Sequence, residues 1–299
     1  MKYIKSCLNY TGGKYRLLNQ LLPLFPKRID TFVDVFCGGA NVALNVDSNR
    51  TICNDSNKPL IYLFNFIKNN DLECLFDSIF SIIETYGLSK SDKYGYNYYN
   101  CDSSKGLGKY NKPKYMKLRD DFNSNETLDY DKCLYFYTLI VYGFNNQIRF
   151  NKKNEFNNTV GKRDFNSRTQ ENLRNFHEVI NTKDILFSNK DFNEFDVSDL
   201  TSKDFLYADP PYLITTASYN EQNAWTLEDE RSLLKFLDNL NENNVNFALS
   251  NVLESKGKEN KLLKKWANNY NVNYLNFDYS NSNYQTKKGK SVEVLICNY

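Results

Sequence analysis

The chain of 299 residues has a single histidine, seven cysteines, almost no net charge and no long apolar run. One histidine, His177 in the helix-like run TQENLRNFHEVI, argues against Ser-His-Asp and Cys-His mechanisms, and we expect it to be structural. The cysteines are odd in number and lack C-x-x-C spacing, which argues against a disulfide framework or a structural zinc site. They indicate small buried side chains in a reducing compartment, expected to be the cytoplasm. The longest apolar runs, such as residues 60–67, are too short to span a membrane, and no secretory signal core begins the chain.

The positive charge is concentrated in the middle of the chain. The sequence holds 38 basic and 36 acidic residues, a net charge of +2, which excludes a uniformly basic surface. Residues 89–168 hold 15 basic and 9 acidic side chains, so the rest of the chain carries −4. This split favours a part that faces a polyanion within a neutral body, although a solvated, loop-rich surface has the same composition.

Strand-like apolar segments alternate with helix-like segments on both sides of this basic middle. The alternation favours an α/β protein, an open sheet with helices on both faces. We expect the sheet-forming body to comprise residues 1–70 and 171–299, and an insert of helices and loops to comprise residues 71–170. Strands are predicted at 30–36, 51–54, 204–208, 245–250, 272–277 and 292–297, and helices at 40–46, 58–68, 226–240 and 258–270, the third opened by a Thr-Leu-Glu-Asp capping pattern.

The first motif that carries chemistry is DVFCGGA at residues 34–40, where a predicted strand ends at two glycines. Glycine lets the backbone approach a ligand closely. In doubly wound sheets, the crevice beyond the strand ends holds nucleoside-type cofactors. Asp55 ends the next predicted strand, and a carboxylate there can accept hydrogen bonds from both ribose hydroxyls. The full G-x-G-x-x-G fingerprint is absent, so an ordinary strand–turn–helix corner is equally compatible.

A second pair of glycines lies near the start, in the segment YTGGK from Tyr10 to Lys14. The glycines predict a tight turn, from which Lys14 can project its charge toward a carboxylate. A methionine-derived cofactor carries such a carboxylate, and Tyr10 could line or stack against the same pocket. Gly-Gly-Lys by itself is also compatible with an ordinary turn.

The third motif, Asp-Pro-Pro-Tyr at residues 209–212, follows an apolar strand. Its prolines fix two φ angles and remove two backbone donors, which predicts a rigid elbow at the strand end. The elbow presents two acceptors, the Asp209 carboxylate and the Pro210 carbonyl. Two fixed acceptors suit an exocyclic amine with two hydrogens, and Tyr212 offers a flat face for a planar base. A strand-ending Pro-Pro turn is the alternative interpretation.

Taken together, the ordered motifs resemble those of the Dam-type DNA adenine methyltransferases, which methylate adenine N6 with S-adenosylmethionine. The order is Y-T-G-G-K, D-V-F-C-G-G-A, the aspartate at 55, a basic insert and D-P-P-Y. In the insert, YGFNNQIRFN at 142–151 is similar to the family's Tyr-Gly-aromatic-Asn…Arg-aromatic-Asn stretch, and EFN at 155–157 with GK at 161–162 continues it. Tyr10 stands where many members have Trp, and Phe144 where some have Tyr. The resemblance covers nearly the whole chain.

The resemblance implies an open Rossmann-like methyltransferase sheet with an inserted, mainly helical and loop, DNA-recognition domain. It implies S-adenosylmethionine as cofactor, double-stranded DNA as substrate and direct transfer that requires no metal. Asp209, Pro210 and Tyr212 would hold an adenine rotated out of the duplex. The implied lining of the cofactor pocket is Tyr10, Lys14, Asp34, Phe36, Gly38, Asp55 and Asp209.

The resemblance also places Phe144, Asn145 and Arg149 against DNA. Arg149, between two apolar residues, is a candidate for bidentate recognition of guanine O6 and N7. The segment YSNSNYQTKKGK at 279–290 matches the family only in its basic character, which leaves the target sequence open. Phosphate contacts are expected among Lys105, Lys109, Lys112, Lys114, Lys152, Lys153, Lys162 and Arg163.

Two other functions compete with a DNA adenine methyltransferase. One is a methyltransferase for another amine, such as cytosine N4, an RNA base or a protein glutamine. Glutamine enzymes usually carry Asn before Pro-Pro-Tyr, whereas this chain has Asp209. The other is a catalytically silent DNA-binding subunit, against which Asp209, Asp55 and Lys14 argue. The sequence also leaves open the oligomeric state, a bacterial or viral origin, and whether the enzyme is solitary or accompanies a cognate restriction endonuclease.

Overall fold

The computed structural model describes residues 3–124, 130–215, 225–276 and 291–299. The expected basic segment at 279–290 and the end of the strand predicted at 272–277 lie outside these ranges. In chain order, the helices are α1 (Leu18–Leu21), α2 (Lys58–Asn69), α3 (Leu72–Tyr86), α4 (Ser91–Tyr98), α5 (Gly108–Ser124), α6 (Tyr130–Tyr142), α7 (Ser167–Thr182), α8 (Leu227–Glu242) and α9 (Lys261–Ala267). The strands are β1 (Thr31–Asp34), β2 (Arg50–Asn54), β3 (Ile185–Ser188), β4 (Phe205–Ala208), β5 (Asn246–Ser255), β6 (Lys258–Glu259), β7 (Asn271–Leu275) and β8 (Ser291–Cys297). Short 3-10 helices span Lys14–Leu17, Leu22–Leu24, Ala43–Asn45, Phe144–Asn146 and Phe192–Glu194.

The chain divides into two compact units, each built from two segments. The helical unit comprises Met1–Gly13 and Lys58–Thr182, and the sheet unit comprises Lys14–Asn57 and Lys183–Tyr299. Tyr10, α2 and α7 therefore fall in the helical unit, although the expected boundaries at 70 and 170 grouped Tyr10, α2 and most of α7 with the sheet. The functional division of the chain stays a prediction.

The predicted open α/β sheet is confirmed. Its strand order is β3-β2-β1-β4-β5-β8-β7, and β6 pairs with β5 at the side. The first five strands of this order are parallel, whereas β8 runs antiparallel to both β5 and β7. The order reverses between β1 and β4, and such a point in an open sheet leaves a crevice at the carboxyl ends of the strands.

Both faces of strand β4 are buried, as expected for a parallel strand inside an α/β sheet. Leu206 and Ala208 point to one face and belong to an apolar cluster with residues of α8 and α9. Phe205 and Tyr207 point to the other face, where their ring centroids lie 4.8 and 5.5 Å from that of Phe25. This two-sided burial explains why the strands read as continuous apolar runs.

The capping pattern at the start of α8 is present in the structure. The Thr226 hydroxyl accepts a hydrogen bond from the Asp229 backbone N–H, and the Asp229 carboxylate accepts one from the Thr226 backbone N–H. This reciprocal arrangement satisfies two of the backbone donors that a helix start leaves unpaired.

Two of the predicted helices are wrong in extent. Residues 40–46 form only a 3-10 turn at Ala43–Asn45, because φ is +47° at Gly38 and +58° at Ala40, and Val46 is already extended toward β2. In the segment 258–270, the first two residues pair with β5 as strand β6, so the helix is confined to Lys261–Ala267. In both cases a nearby strand competes for the backbone.

The helical unit is built around apolar helix faces and a buried polar network. Helix α3 is capped at its start by Asp71, whose carboxylate accepts two backbone N–H bonds, and at its end by Gly87 with φ +67°. The Asp164 carboxylate is fully buried and accepts hydrogen bonds from the Ser89 hydroxyl and from the backbone N–H and hydroxyl of Ser91. These three bonds allow a carboxylate to be buried.

The cysteines were expected to be buried, but two of them are not. All seven are free thiols; Cys74 is exposed because it lies in the first turn of α3, and Cys101 is partly exposed. The His177 ring lies with Nε2 2.9 Å from the Asn70 carbonyl oxygen. In the described ranges, no helix combines the length and apolar character that a membrane crossing requires. Within the same ranges, the His, Cys, Asp and Glu side chains form no group that could hold a metal ion.

Candidate active site

The register of three neighbouring strands brings three aspartates to one edge of the sheet. Asp34 is the last residue of β1 and pairs with Tyr207 of β4, two residues before Asp209. Asp55 directly follows β2, which pairs with β1 on the other side. Since these strands are parallel, their carboxyl ends meet at this edge. All three aspartates belong to the sheet unit.

The glycine turn after β1 is closed by Asp55. The Gly38 backbone N–H donates to Asp55 Oδ2 at 2.9 Å, and the Asn57 N–H donates to Oδ1 at 2.8 Å. Burial raises the pKa of the Asp55 carboxyl, and these two backbone bonds partly offset that shift. Ala40 holds a positive φ of +58° in the same turn, a conformation that costs a non-glycine residue energy and is often found at functional sites.

Asp34 has an acceptor with no partner among the described residues. Its side chain is 2% exposed, and its Oδ1 lacks a hydrogen-bond donor there. Burial raises the pKa of the Asp34 carboxyl, and the negative charges of Asp209 and Asp55 raise it further, while Lys14 opposes the shift. A buried, unsatisfied carboxylate oxygen is costly. It fits a site where a cationic ligand group supplies the missing donor.

Lys14 and Asp209 form the central ion pair of this edge. The Lys14 ammonium donates to both Asp209 carboxylate oxygens at 2.7 Å, although the two residues are 195 positions apart in the sequence. Lys14 is 6% exposed and Asp209 17% exposed. The Tyr212 hydroxyl donates to Asp209 Oδ1 at 3.0 Å, and the Lys14 ammonium lies 5.1 Å from the centroid of the Tyr212 ring. Burial, together with the charge of Asp209, raises the pKa of Tyr212, so its hydroxyl keeps its proton.

One residue of this cluster was missed by the sequence analysis. Glu293 in β8 is 4% exposed, and its Oε1 lies 3.4 Å from the Tyr212 hydroxyl and 3.8 Å from the Lys14 ammonium. The only sequence signal is an acid between apolar residues in the strand SVEVLIC. β8 is antiparallel, so its amino-terminal part lies at the edge where the parallel strands end.

Phe36 packs in an aromatic cluster that was also missed. Its ring centroid lies 5.3 Å from that of Phe192 and 5.7 Å from that of Trp225. The Trp225 indole N–H donates to the buried carboxylate of Glu230 at 2.6 Å, which fixes the orientation of the indole. An apolar wall of this kind suits a planar ligand group beside Phe36.

The predicted DNA-contacting residues lie on a hairpin-like loop of the helical unit. The loop closes through an isolated β-bridge between Gly143 and Val160 and a second between Phe150 and Phe156. The Asn158 amide donates to the backbone carbonyls of Phe144 and Gln147 and so holds the first arm. On this loop Asn145, Arg149 and Lys152 are exposed, whereas Phe144 is partly buried. Asn145 has φ +52°, which asparagine tolerates better than most residues.

The base of this loop depends on two glycines in close contact. A Cβ atom built on Gly161 would lie 2.5 Å from the Gly143 carbonyl oxygen, closer than any real Cβ contact. We expect Gly161→Ala to open the base of the loop and to weaken DNA binding at least tenfold, a loss of about 1.4 kcal/mol. Fluorescence anisotropy with a labelled duplex measures this loss.

Gly257→Ala is the matched control for that variant, since a Cβ there meets no atom within 4 Å, although φ is +79°. It lacks the clash and lies in the sheet unit, although it adds a left-handed backbone strain that Gly161→Ala does not. Equal DNA affinity in Gly161→Ala and the unmodified protein would contradict the role of this contact.

The comparison with protein families decides what this site belongs to. The model described as D12 class N6 adenine-specific DNA methyltransferase matches residues 10–281. The chain belongs to this family. Its resemblance to Dam-type enzymes, inferred from the order of the motifs, is thereby confirmed.

Individual relatives of this D12 methyltransferase chain include enzymes named for DNA modification. The chain is 44% identical over 306 residues to "Modification methylase StsI" from Streptococcus sanguinis, and 43% identical over 303 residues to "Type II methyltransferase M.FokI" from Planomicrobium okeanokoites. These alignments cover 100% and 99% of the chain but 43% of each relative. A "DNA adenine methylase" from Escherichia coli K12 is 26% identical over 255 residues, 84% of this chain and 82% of that protein.

The structure brings together most, but not all, of the predicted site residues of this family member. Tyr10 belongs to the helical unit, as do the four predicted DNA-contacting residues. Lys14 was expected to face a cofactor carboxylate; in the structure it pairs with Asp209. Its role toward the cofactor stays a prediction. The residues found within the sheet unit are Lys14, Asp34, Phe36, Gly38, Asp55, Asp209, Pro210 and Tyr212.

Proposed function

We propose that this chain transfers a methyl group from S-adenosylmethionine to N6 of an adenine rotated out of double-stranded DNA. The observation that carries the proposal is the convergence of Asp34, Asp55 and Asp209 at one edge of the sheet, with Lys14 and Tyr212 bonded to Asp209. The proposal concerns the activity of a chain that spans 43% of the length of each of two named relatives, StsI and M.FokI.

The chemistry of the donor set supports S-adenosylmethionine as the cofactor. When bound, this cofactor supplies an electrophilic methyl group on a sulfonium. The unpartnered Asp34 Oδ1 would accept from its amino group, and Asp55 would accept from its ribose hydroxyls through lone pairs not used by Gly38 and Asn57. Phe36 would line the base, Gly38 would allow close approach of the backbone, and we assign Lys14 to the same pocket; for Tyr10, a role in cofactor binding rests on the sequence resemblance alone.

The acceptor side of the site would hold the adenine amine. Its lone pair is delocalised into the ring, which makes it a poor nucleophile. The Asp209 carboxylate and the Pro210 carbonyl would accept hydrogen bonds from the two N6–H groups and so direct the lone pair toward the methyl group. Tyr212 would stack on the adenine ring. As the N6–methyl bond forms, the methyl–sulfur bond breaks and the amine becomes acidic, so Asp209 need not be a strong base to take up the proton that N6 releases. Positioning and electrostatics then supply the acceleration, with neither a covalent enzyme intermediate nor a metal in the proposal.

DNA recognition is assigned to the hairpin-like loop of the helical unit. Its exposed Arg149 would read a guanine, with Asn145 and partly buried Phe144 beside it, and exposed Lys152 would contact phosphate. The names of the relatives support a place in a restriction–modification system with a cognate endonuclease. We place the reaction in the cytoplasm, in keeping with seven free thiols.

The activity is tested by identifying the nucleoside that acquires the label. DNA is incubated with the chain and methyl-labelled S-adenosylmethionine, hydrolysed, and resolved by chromatography. We expect label in N6-methyladenine; label in N4-methylcytosine, or in RNA or protein instead of DNA, would contradict the proposal. Absence of label together with absence of cofactor binding in calorimetry would favour a silent DNA-binding subunit. Methylation-sensitive sequencing of the product then gives the target sequence.

The raised pKa of Asp34 predicts how cofactor affinity depends on pH. A protonated Asp34 cannot pair with a cation, so it must release its proton when the cofactor binds. Affinity should therefore fall as the pH decreases through the pKa of Asp34, by at most about tenfold per pH unit. Titration calorimetry between pH 5 and 8, in buffers of different ionisation enthalpy, measures both the affinity and the proton release.

Asp34→Asn separates this effect from titration of Asp55, whose pKa burial also raises. The variant should bind the cofactor more weakly, with a flatter pH dependence than the unmodified chain. Asp30→Asn, which changes an exposed acid at the other end of the β1 region, is the matched control. A pH dependence unchanged in Asp34→Asn would assign the proton to another group.

A further inference from the structure

Glu293 is a buried acid at the edge of the sheet where the site lies, and no motif of the chain includes it. It belongs to β8, which pairs with β5 in antiparallel register, with Glu293 opposite Val252. On the other side of β5, Ala208, the last residue of β4, pairs with Leu249, three residues before Val252. Glu293 therefore lies beyond the end of β4, level with the segment that contains Asp209 and Tyr212.

Two groups that bond to Asp209 also face Glu293. The Tyr212 hydroxyl donates to Asp209 Oδ1 at 3.0 Å and lies 3.4 Å from Glu293 Oε1. The Lys14 ammonium is 2.7 Å from the Asp209 carboxylate and 3.8 Å from the same Glu293 oxygen. The Glu293 charge also acts on the Tyr212 hydroxyl, after burial and Asp209, to raise its pKa. One cation and one hydroxyl are thus shared between two carboxylates.

The burial of Glu293 indicates that its negative charge interacts with nearby polar groups. A carboxylate that is 4% exposed is costly unless charged and polar groups compensate it. A glutamine would fill the same volume without that cost. With Asp209 as its only carboxylate partner, the Lys14 ammonium could follow that side chain freely; a second carboxylate on a rigid strand restrains it.

We propose, on the basis of the function proposed above, that Glu293 is a positioning residue for methyl transfer. It anchors the Lys14 ammonium and the Tyr212 hydroxyl to β8, and these two groups hold the Asp209 carboxylate in the orientation that accepts the adenine amine. Glu293 acts through Lys14 and Tyr212, and no contact with the adenine or the cofactor is needed for this role.

The test compares Glu293→Gln, which keeps the shape and removes the charge, with Glu293→Asp, which keeps the charge and shortens the side chain. We expect Glu293→Gln to lower kcat by about 10- to 100-fold, the range that coupling between contacting residues reaches. KM for DNA should change by less than about twofold, because Glu293 does not contact the DNA. Glu293→Asp should retain an intermediate kcat.

A double-mutant cycle with Tyr212→Phe gives a readout that loss of packing would not produce. If Glu293 acts partly through the Tyr212 hydroxyl, Glu293→Gln should lower kcat by a smaller factor in the Tyr212→Phe background than in the unmodified protein. Asp204→Asn is the matched control for removal of a buried acid. Asp204 bonds to the Thr31 N–H at the opposite end of β1, so its loss should lower Tm and leave kcat unchanged.

The proposal is overturned if Glu293→Gln keeps kcat within about twofold of the unmodified protein, or if its effect is equal in both Tyr212 backgrounds. If Glu293→Gln does not fold, full kcat in a folded Glu293→Asp overturns it. If the unmodified chain transfers no methyl group, the proposed function fails separately. Crystal structures of the unmodified chain and Glu293→Gln then decide the inference without turnover: it is supported if the Lys14 ammonium and the Asp209 carboxylate shift from their positions beside β8 in the variant, and overturned if both keep those positions.

Discussion

Replacing Asp209 by asparagine should lower the rate of methyl transfer by at least about 100- to 1,000-fold, the cost of removing one electrostatic contact to a reacting group. In one orientation, the asparagine amide would point its N–H groups at the N6–H groups of adenine, where no hydrogen bond can form. In the other orientation, its oxygen would be a neutral acceptor, weaker than the carboxylate. Its oxygen can still accept from Lys14, whose ammonium is 2.7 Å from Asp209, so the fold should be retained. Single-turnover assays with labelled cofactor measure the chemical step directly.

Cofactor affinity of Asp209→Asn should change far less than its rate, because Asp34 and Asp55 remain. Calorimetry and circular dichroism check binding and folding in the same preparation. Asp199→Asn, at an exposed position of the sheet unit, is the control for loss of one negative charge. An Asp209→Asn or Asp209→Ala enzyme with the rate of the unmodified chain would refute the assignment of this carboxylate.

Replacing Arg149 by alanine should relax the choice of one base pair in the target. A good bidentate contact to guanine discriminates against the wrong base by about 1–3 kcal/mol, or roughly 5- to 150-fold. Arg149 is exposed, and its backbone carbonyl accepts from the Asn157 N–H, which fixes the strand that presents the side chain. Rates on a set of duplexes that vary one position at a time measure the discrimination.

Lys152 provides the comparison for Arg149 on the same loop. It is also exposed and three residues further along the chain, so Lys152→Ala removes a similar charge from a nearby place. If Lys152 contacts phosphate, its loss should weaken binding to all duplexes alike. It should also reduce the slope of log affinity against log salt concentration by about one. Equal discrimination among bases in Arg149→Ala and the unmodified chain would contradict the role of Arg149.

The division of the chain into compact units depends on packing between distant segments. The expected boundaries at 70 and 170 were set around the basic middle of the sequence. Helix α2 lies next to β2 in the sequence but belongs to the compact helical unit. Its apolar face packs against α6 and α7, and such a preference depends on partners more than sixty residues away.

Short-range sequence patterns were sufficient to predict the motifs, most of the strands and the family. Strands buried on both faces read as apolar runs; the Asp-Pro-Pro-Tyr elbow and the glycine turn depend on backbone rules that act over a few residues. Only the tertiary structure decided that Lys14 pairs with Asp209 and that Glu293 lies close to both Lys14 and Tyr212. It also decided that residues 40–46 form only a short 3-10 turn. Those outcomes follow from strand order and register, which join residues up to 195 positions apart. No short-range pattern in the chain encodes such distances.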